Sequence, residues 1–488
     1  MNADTVLLIL DYLESNDMSR VVRASRWLRD IAIPVLYLSP RTRGLHRAVN
    51  LCQSLCSLNT APQKSSRPAQ TKKIEICSVG AGEVLSVADW QVMEHELDRA
   101  IRSSACKTLQ CFMLDISIPI TGRIAFPMTW GHPIWNSLRM FCPDLSAVEL
   151  QHTDLGHRST VSLVTIPRLH RLILRVSFKF NESSLNVLNP LAQPDQPAED
   201  IRFTDVFAQL QLASPHLRHL ELSIFEDQQA SAGRSDSIFE REWPLLHTLV
   251  LNLTRSVTVP DTVGDFLNRH SNIHHLTLLG LSIPLQALPA TALPHLTSLK
   301  SDSRMAQWIL EPTRREIDAL ALVSRNIDVL VAIMNTLCGE VCDRLRRLEV
   351  KLERHNHRSP PLLPIYLKML GRCFPNVQEL VLIVDDTSDI PVQGWRTLHG
   401  AFAEFHTLRV LRLSSNGWRI EGDALWGAVS DYAKALPSLQ TLDLAVYEQP
   451  ADGVLVKQIG AVCVRFRLPT IQGAPVAMVK ASVSHMMP

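Results

Sequence analysis

The chain reads as α/β: a short N-terminal helical segment, then a curved solenoid with parallel strands on its concave face and helices outside. Three features carry this reading. A Leu-x-x-Leu-x-Leu core recurs along most of the sequence, the segments between its copies have apolar residues at helical spacing, and prolines stand at a fixed place ahead of the core. The 488 residues are 46% hydrophobic and 20% charged, which is enough apolar material for a packed interior and unlike a disordered chain.

The N-terminal segment spans residues 1–40. Val6, Ile9, Leu10 and Leu13 fall on one face of a helix of about two turns. Ser15, Asn16 and Asp17 then offer short polar side chains that accept the free N–H groups of a new first turn. Met18, Val21, Val22, Ser25 and Leu28 continue at helical spacing, and Pro34 ends the run before Val35, Leu36 and Tyr37. Two or three short helices cannot bury a core of their own, so their apolar faces need a partner. A connecting helix and a polar linker occupy 41–73.

The array is expected over 74–467. Its clearest cores are Leu145, Val148, Leu150; Leu169, Leu172, Leu174; Leu217, Leu220, Leu222; and Leu246, Leu249, Leu251. They continue with Ile273, Leu276, Leu278; Leu345, Leu348, Val350; Val377, Leu380, Leu382; Leu408, Leu411, Leu413; and Leu439, Leu442, Leu444. Weaker copies at Leu109, Phe112, Leu114, at Leu296, Leu299 and at Ile317, Leu320, Leu322 bring the number to twelve. Spacings run from 21 to 36 residues except for one of 48, which reads as two units with one obscured by an insertion. Each terminal Leu-x-Leu alternates apolar and polar, as a short strand with one buried face requires.

The helical stripes lie between these strands. Trp90, Met93, Leu97 and Ile101 form one; Trp395, Leu398, Phe402 and Phe405 another; Leu425, Val429, Tyr432 and Leu436 a third. Pro143, Pro167, Pro215, Pro244, Pro294, Pro375 and Pro437 each stand two residues before the first apolar position, where a missing N–H and a steric clash stop the helix. This explains part of an unusual surplus of 29 prolines over 19 glycines. Successive strand–helix units with right-handed crossovers pair their strands in parallel and stack into a solenoid. The competing architecture is a doubly wound α/β domain, whose strands are longer and more continuously apolar.

The residue between the paired leucines points away from the helices. Glu149, Ile173, Glu221, Val250, Thr277, Glu349, Val381, Arg412 and Asp443 are therefore expected on the concave face, with Glu149, Glu221, Thr277, Glu349, Arg412 and Asp443 as candidate target-binding side chains. Polar, Pro/Ser/Gln-rich stretches near 60–73, 189–200, 226–237 and 355–364 read as insertions, and 468–488 as a C-terminal tail.

Catalytic and metal chemistry find little footing. His95-Glu96 begins like a zinc-protease helix, but Arg99 stands where the second histidine belongs. Cys338 and Cys342 with His355 and His357 resemble a zinc finger, yet the histidines are too close together. Cys52 and Cys56 have no second pair and suit a helical core. There is no Gly-x-Gly-x-x-Gly, P-loop or Gly-x-Ser-x-Gly, so a non-enzyme without cofactor or metal is expected. The densest charge feature is Arg344, Arg346, Arg347, Lys351, Arg354 and Arg358, interleaved with Asp343, Glu349 and Glu353. It reads as a solvated strand edge or as a site for an acidic or phosphorylated segment. The net charge of +1 argues against general nucleic-acid binding. The N-terminus lacks a basic n-region and no stretch is apolar enough to span a bilayer, so a cytoplasmic or nuclear protein with reduced thiols is expected, one that does not engage membranes.

The segment Ile9 to Tyr37 resembles the F-box in the form common in fungal F-box proteins. The match rests on Ile9 and Leu13, on Asp17-Met18, on Ser25-Arg26 with Leu28, and on Ile33-Pro34 with Leu36-Tyr37. The usual opening Leu-Pro is absent: Asn2 stands where the proline falls, and Asp4 replaces a usual Glu. The array resembles leucine-rich-repeat proteins over roughly 74–450, although the asparagine that commonly follows Leu-x-Leu is largely missing. Together these resemblances imply a substrate receptor of a Skp-cullin-F-box ubiquitin ligase, monomeric within that complex. The F-box would dock the Skp adaptor, and through it the cullin, by way of Val6, Ile9, Leu13, Met18, Val21, Val22 and Leu28, about half of which are expected to face the adaptor and the rest the first repeat. The array would hold a target protein of unknown identity. A leucine-rich interaction scaffold without a ligase role is the alternative.

Overall fold

The computed structural model describes residues 20–57 apart from 22, 26, 29–30 and 33–36, then 70–77, 87–115, 132–154, 162–178, 203–226, 236–257, 262–311 apart from 282 and 284–285, 317–324, 344–353, 363–385, 393–415, 422–447, 461–467 and 482–483. These fall in two compact units, residues 1–272 and 273–488.

In the first unit strands and helices alternate. The strands are β1 (Arg41–Arg43), β2 (Lys73–Cys77), β3 (Cys111–Asp115), β4 (Ala147–Asp154), β5 (Arg171–Phe178), β6 (His219–Glu226) and β7 (Thr248–Val257). Helices α1 (Leu45–Ser57), α2 (Val87–Ile101), α3 (His132–Phe141), α4 (Phe203–Ala213), α5 (Asp236–Phe239) and α6 (Thr262–Arg269) lie between or after them. Each strand pairs in parallel with its neighbour in sequence. Thus β1 already belongs to the sheet, ahead of the first residue at which the repeat is legible.

The second unit carries β8 (His275–Leu281), β9 (Ser298–Asp302), β10 (Ala319–Ser324), β11 (Arg347–Glu353), β12 (Glu379–Asp385), β13 (Val410–Ser415) and β14 (Thr441–Tyr447), again paired in parallel and in order. Its helices are α7 (Ser303–Leu310), α8 (Leu363–Cys373), α9 (Gln393–Phe402) and α10 (Gly422–Ala435).

The leucine cores do what their spacing requires. The middle apolar residues of the cores, among them Val148, Leu172, Leu220, Leu249, Leu348, Leu380 and Leu411, are fully buried on the helix side of the sheet. Aromatic contacts join the layers and neighbouring helices: Phe112 of β3 meets Trp135 of α3 edge-on at 6.0 Å, and Phe402 of α9 lies 5.9 Å from Tyr432 of α10. The fold is therefore α/β with parallel strands that follow chain order, as a repeat array demands, and not the reordered sheet of a doubly wound domain.

The prolines have a more specific role than stopping helices. The N–H of Leu145 donates to the Cys142 carbonyl at 3.1 Å, closing a turn with Pro143 at its second position, where proline's fixed φ is suited. The same bond recurs from Leu246 to Trp243, Leu296 to Leu293, Val377 to Phe374 and Leu439 to Leu436. The next two residues then lock each repeat to the last: Ser146 and Ala147 N–H both donate to the Gln110 carbonyl, Gln378 and Glu379 to that of Arg346, and Gln440 and Thr441 to that of Arg409.

Three expectations are corrected. β5 pairs directly with β6, Arg171 opposite His219, so no strand stands between them in the sheet and the 48-residue interval counts as one unit; the free edge of β5 is already taken. The array is not parallel to its end. β15 (Ala461–Arg467) runs antiparallel to β14 and β16 (Ser482–Val483) antiparallel to β15, placing a strand in the expected tail. An antiparallel return needs no crossover helix, so it leaves no repeat signature. Finally, not every thiol is reduced: Cys373 is disulfide-bonded, while Cys52, Cys56, Cys77, Cys106, Cys111 and Cys142 are free.

Candidate protein-binding face

The face of each sheet opposite the helices is built from the residues between the paired leucines. In the first unit, register lines up Glu75, Met113, Glu149, Ile173, Glu221 and Val250 across β2 to β7. Carboxylates alternate with apolar side chains along this row, so successive glutamates stand two strands, roughly 10 Å, apart. In the second unit the row is Thr277, Lys300, Ala321, Glu349, Val381, Arg412 and Asp443. Every expected concave-face residue thus takes its place in one of two continuous rows.

Cations on the same face, within the row or two residues along a strand, compensate the carboxylates. Glu75 pairs with Arg41 at 2.9 Å and Lys73 at 3.0 Å, and Glu149 with Arg171 at 3.7 Å. Glu221 accepts from Arg175, which also reaches Gln151 at 3.3 Å, and has His219 at 3.9 Å. Burial alone would raise the Glu221 carboxyl, but the His219 imidazole beside it and the hydrogen bond and charge of Arg175 hold it below its ordinary range. In the second unit Lys300 reaches over small Ala321 to Glu349 at 3.0 Å, and Arg412 stands between Glu379 at 3.4 Å and Asp443 at 3.3 Å.

Alternation alone overstated the openness of this face. Ile173, Glu221 and Asp443 are only 1%, 7% and 4% exposed, because side chains on strands about 4.8 Å apart cover one another. Arg41, Lys73, Glu75, Arg175 and Lys300 were not singled out from the sequence, although the two-residue period places Arg175 and Lys300 on the same face. Glu75 falls outside the leucine pattern because Thr71, fully buried, occupies the leading position where other repeats have Leu or a similar residue.

Of the seven F-box positions, Val6, Ile9, Leu13, Met18 and Val22 lie outside the described residues. Val21 and Leu28 are half-buried, and Ser25 caps a short helical segment by accepting the Leu28 N–H at 3.1 Å. Beside them Trp27 is 50% exposed, while Ala32 is fully buried.

The zinc-like patterns acquire no support. His95 is exposed on α2, and Cys338, Cys342, His355 and His357 lie outside the described residues. Cys52 and Cys106 are core thiols, and burial raises both, Cys106 to about 12. In the basic cluster, Arg344 and Arg346 are exposed, Arg347 lies 3.8 Å from Glu379, and Arg354 and Arg358 are outside the described residues. Among the described residues no group of three or more His, Cys, Asp or Glu is placed to hold a metal ion, and no helix is long and apolar enough to cross a membrane.

No family model matches the chain, and no curated protein matches it. Among solved structures it is similar to the leucine-rich repeat-containing protein LegL7 from Legionella pneumophila, at 12% identity and a TM-score of 0.32, over 72% of this chain and 96% of that one. It is also similar to an internalin from Listeria monocytogenes, at 11% identity and a TM-score of 0.29, over 86% of this chain and 98% of that one. The architecture rests on the chain's own strand order and register.

Proposed function

We propose that this chain is a non-enzymatic receptor that holds a target protein on its repeat array and presents it to a Skp-cullin-F-box ubiquitin ligase through its N-terminal helices. The observation that carries the receptor half is the pair of rows running across the sheets, Glu75 to Val250 and Thr277 to Asp443: polar, apolar and both charges alternate on a rigid, hydrogen-bonded frame. Such a surface discriminates among protein partners by charge complementarity and needs little reordering to bind.

The ligase half is supported by the F-box resemblance of Ile9 to Tyr37 and by Trp27, an indole left half in solvent next to Leu28 in the chain. Amphipathic aromatic residues of this kind are common anchors at interfaces. Catalysis in this arrangement is proximity: tethering raises the effective concentration of target lysines at a thioester carried by another protein, and the receptor supplies no nucleophile.

Co-expression with a Skp adaptor tests the reading. A complex should form and then capture a cullin, and Ile9→Asp with Leu13→Asp should abolish it. If no complex forms, or the double variant still binds, the ligase half fails and the chain is a free-standing interaction scaffold.

A further inference from the structure

The turn edge ahead of β5 and β6 differs in charge from the two rows. The turn before β5 exposes Arg168, His170 and Arg171; the turn before β6 presents His216, Arg218 and His219. His247 continues the line before β7. None of these positions holds a carboxylate, in a chain whose 48 acidic residues nearly equal its 49 basic ones. Arg171 is drawn toward Glu149 at 3.7 Å yet stays 52% exposed, and His219 lies beside Glu221 at 3.9 Å. Arg168 and Arg218 have no ion-pair partner among the described residues.

The edge is held in place by backbone. The N–H groups of His170 and Arg171 donate to the Ser146 carbonyl at 2.8 and 3.1 Å, and those of Arg218 and His219 to the His170 carbonyl at 2.9 and 3.0 Å. Arg168 has φ of 63°, a conformation that glycine or asparagine adopts freely and arginine does not. The following repeat imposes it: Arg168 N–H donates to the Ala213 carbonyl at 3.0 Å, and Leu169 N–H to the buried Ser214 hydroxyl at 2.9 Å, which itself donates to the Ile166 carbonyl at 3.2 Å. An arginine is kept at a strained position, aligned with a second, unpaired arginine one repeat away.

We propose that this edge is the docking surface for an acidic peptide segment, rich in Asp and Glu, of the partner protein. Guanidinium groups take carboxylates two hydrogen bonds at a time, and the imidazoles add N–H donors between them. A surface about three strands, roughly 10 Å, wide suits a single extended segment. A nucleic acid is disfavoured because a chain of net charge +1 exerts no long-range pull on phosphates. The proposal rests on the array being a protein-binding surface and is independent of the adaptor.

The test uses the full chain and a fluorescein-labelled ten-residue Asp/Glu peptide, read by fluorescence anisotropy at pH 7.5 and low salt, with an Asn/Gln peptide of the same length beside it. The acidic peptide should bind at least about tenfold more tightly than the neutral one, and Arg168→Gln with Arg218→Gln should remove about that factor. Circular dichroism checks that this double variant is folded, since both side chains are exposed. Arg346→Gln with Arg409→Gln, exposed turn residues of the second unit, should leave binding unchanged. Equal binding of the neutral peptide, no loss in the Arg168/Arg218 variant, or tighter binding of a ten-nucleotide single strand would each overturn the proposal. Loss of adaptor capture would leave all these results unchanged, so the two readings fail separately.

Discussion

His270 shows how one side chain can tie two repeats together. It is 2% exposed, just beyond α6, with its ring against Phe266 at 4.0 Å. Nε2 accepts the Trp243 N–H at 2.9 Å, so the proton sits on Nδ1, which faces the Phe266 carbonyl at 2.7 Å. Its neighbours make the same connection: Arg269 donates to the Phe239 carbonyl and pairs with Glu242 at 3.2 Å, and Asn272 donates to the Pro244 carbonyl. Burial, then the Arg269 charge, hold the imidazole below its ordinary pKa against the opposing pull of the Phe266 carbonyl and Glu242. The folded state therefore favours neutral His270, and below about pH 6.5 the unfolded chain binds the extra proton. This contribution to stability is complete above that pH and is lost as pH falls toward the lowered folded value. The thermal midpoint should drop between pH 7.5 and 5.5, and His270→Gln should shrink the drop; an unchanged drop would remove His270 as its source. His270→Ala, which orphans the Trp243 N–H, should cost about 1–3 kcal/mol by urea denaturation.

Elements divide into those whose pattern is local and those fixed by a neighbour. The stripe Met93, Leu97, Ile101 placed α2, and the stripe from Leu425 to Leu436 placed α10, because helical period is written in each segment itself. β15 carries no sequence signal because it pairs without a repeat core, and the length of the 48-residue unit suggests two units because only pairing shows that β5 and β6 are adjacent. The rows of the binding face were legible by alternation, but not the burial of Ile173 or the reach of Lys300 over Ala321, which depend on neighbouring strands. Two glycines make the same contrast testable. A Cβ on Gly371 of α8 would meet Glu404 Cβ at 2.6 Å and Phe405 at 3.1 Å, so that helix sits against the next turn at a distance only glycine permits. Gly400 of α9 has open space around it. Gly371→Ala should destabilise by about 1–3 kcal/mol. Gly400→Ala should stabilise by about 0.5–1 kcal/mol, since only unfolded-chain entropy changes. Chemical denaturation of both reads the sign directly, and the same sign for both would contradict the packing described.

At the scale of the whole molecule, a stack of repeats must solve the problem of its last edge. Each inner strand is satisfied on both sides, but a terminal strand leaves a row of free N–H and C=O groups that templates association with other chains. In the second unit β14 is that strand, and β15 covers it along its full length, Thr441 opposite Arg467 through Tyr447 opposite Ala461. Reversing direction at this point ends the array, because an antiparallel strand adds no further crossover helix and no further leucine core to bury. β16 adds a two-residue pairing on the outer side of β15. A chain ending at Tyr447 keeps every leucine core yet exposes the β14 edge. It should therefore retain its helical circular-dichroism signal while forming concentration-dependent oligomers in light scattering, where the full chain stays monodisperse. A truncated chain that remained monomeric would show that β15 is dispensable as an edge cover, and loss of the helical signal would show instead that it is part of the core.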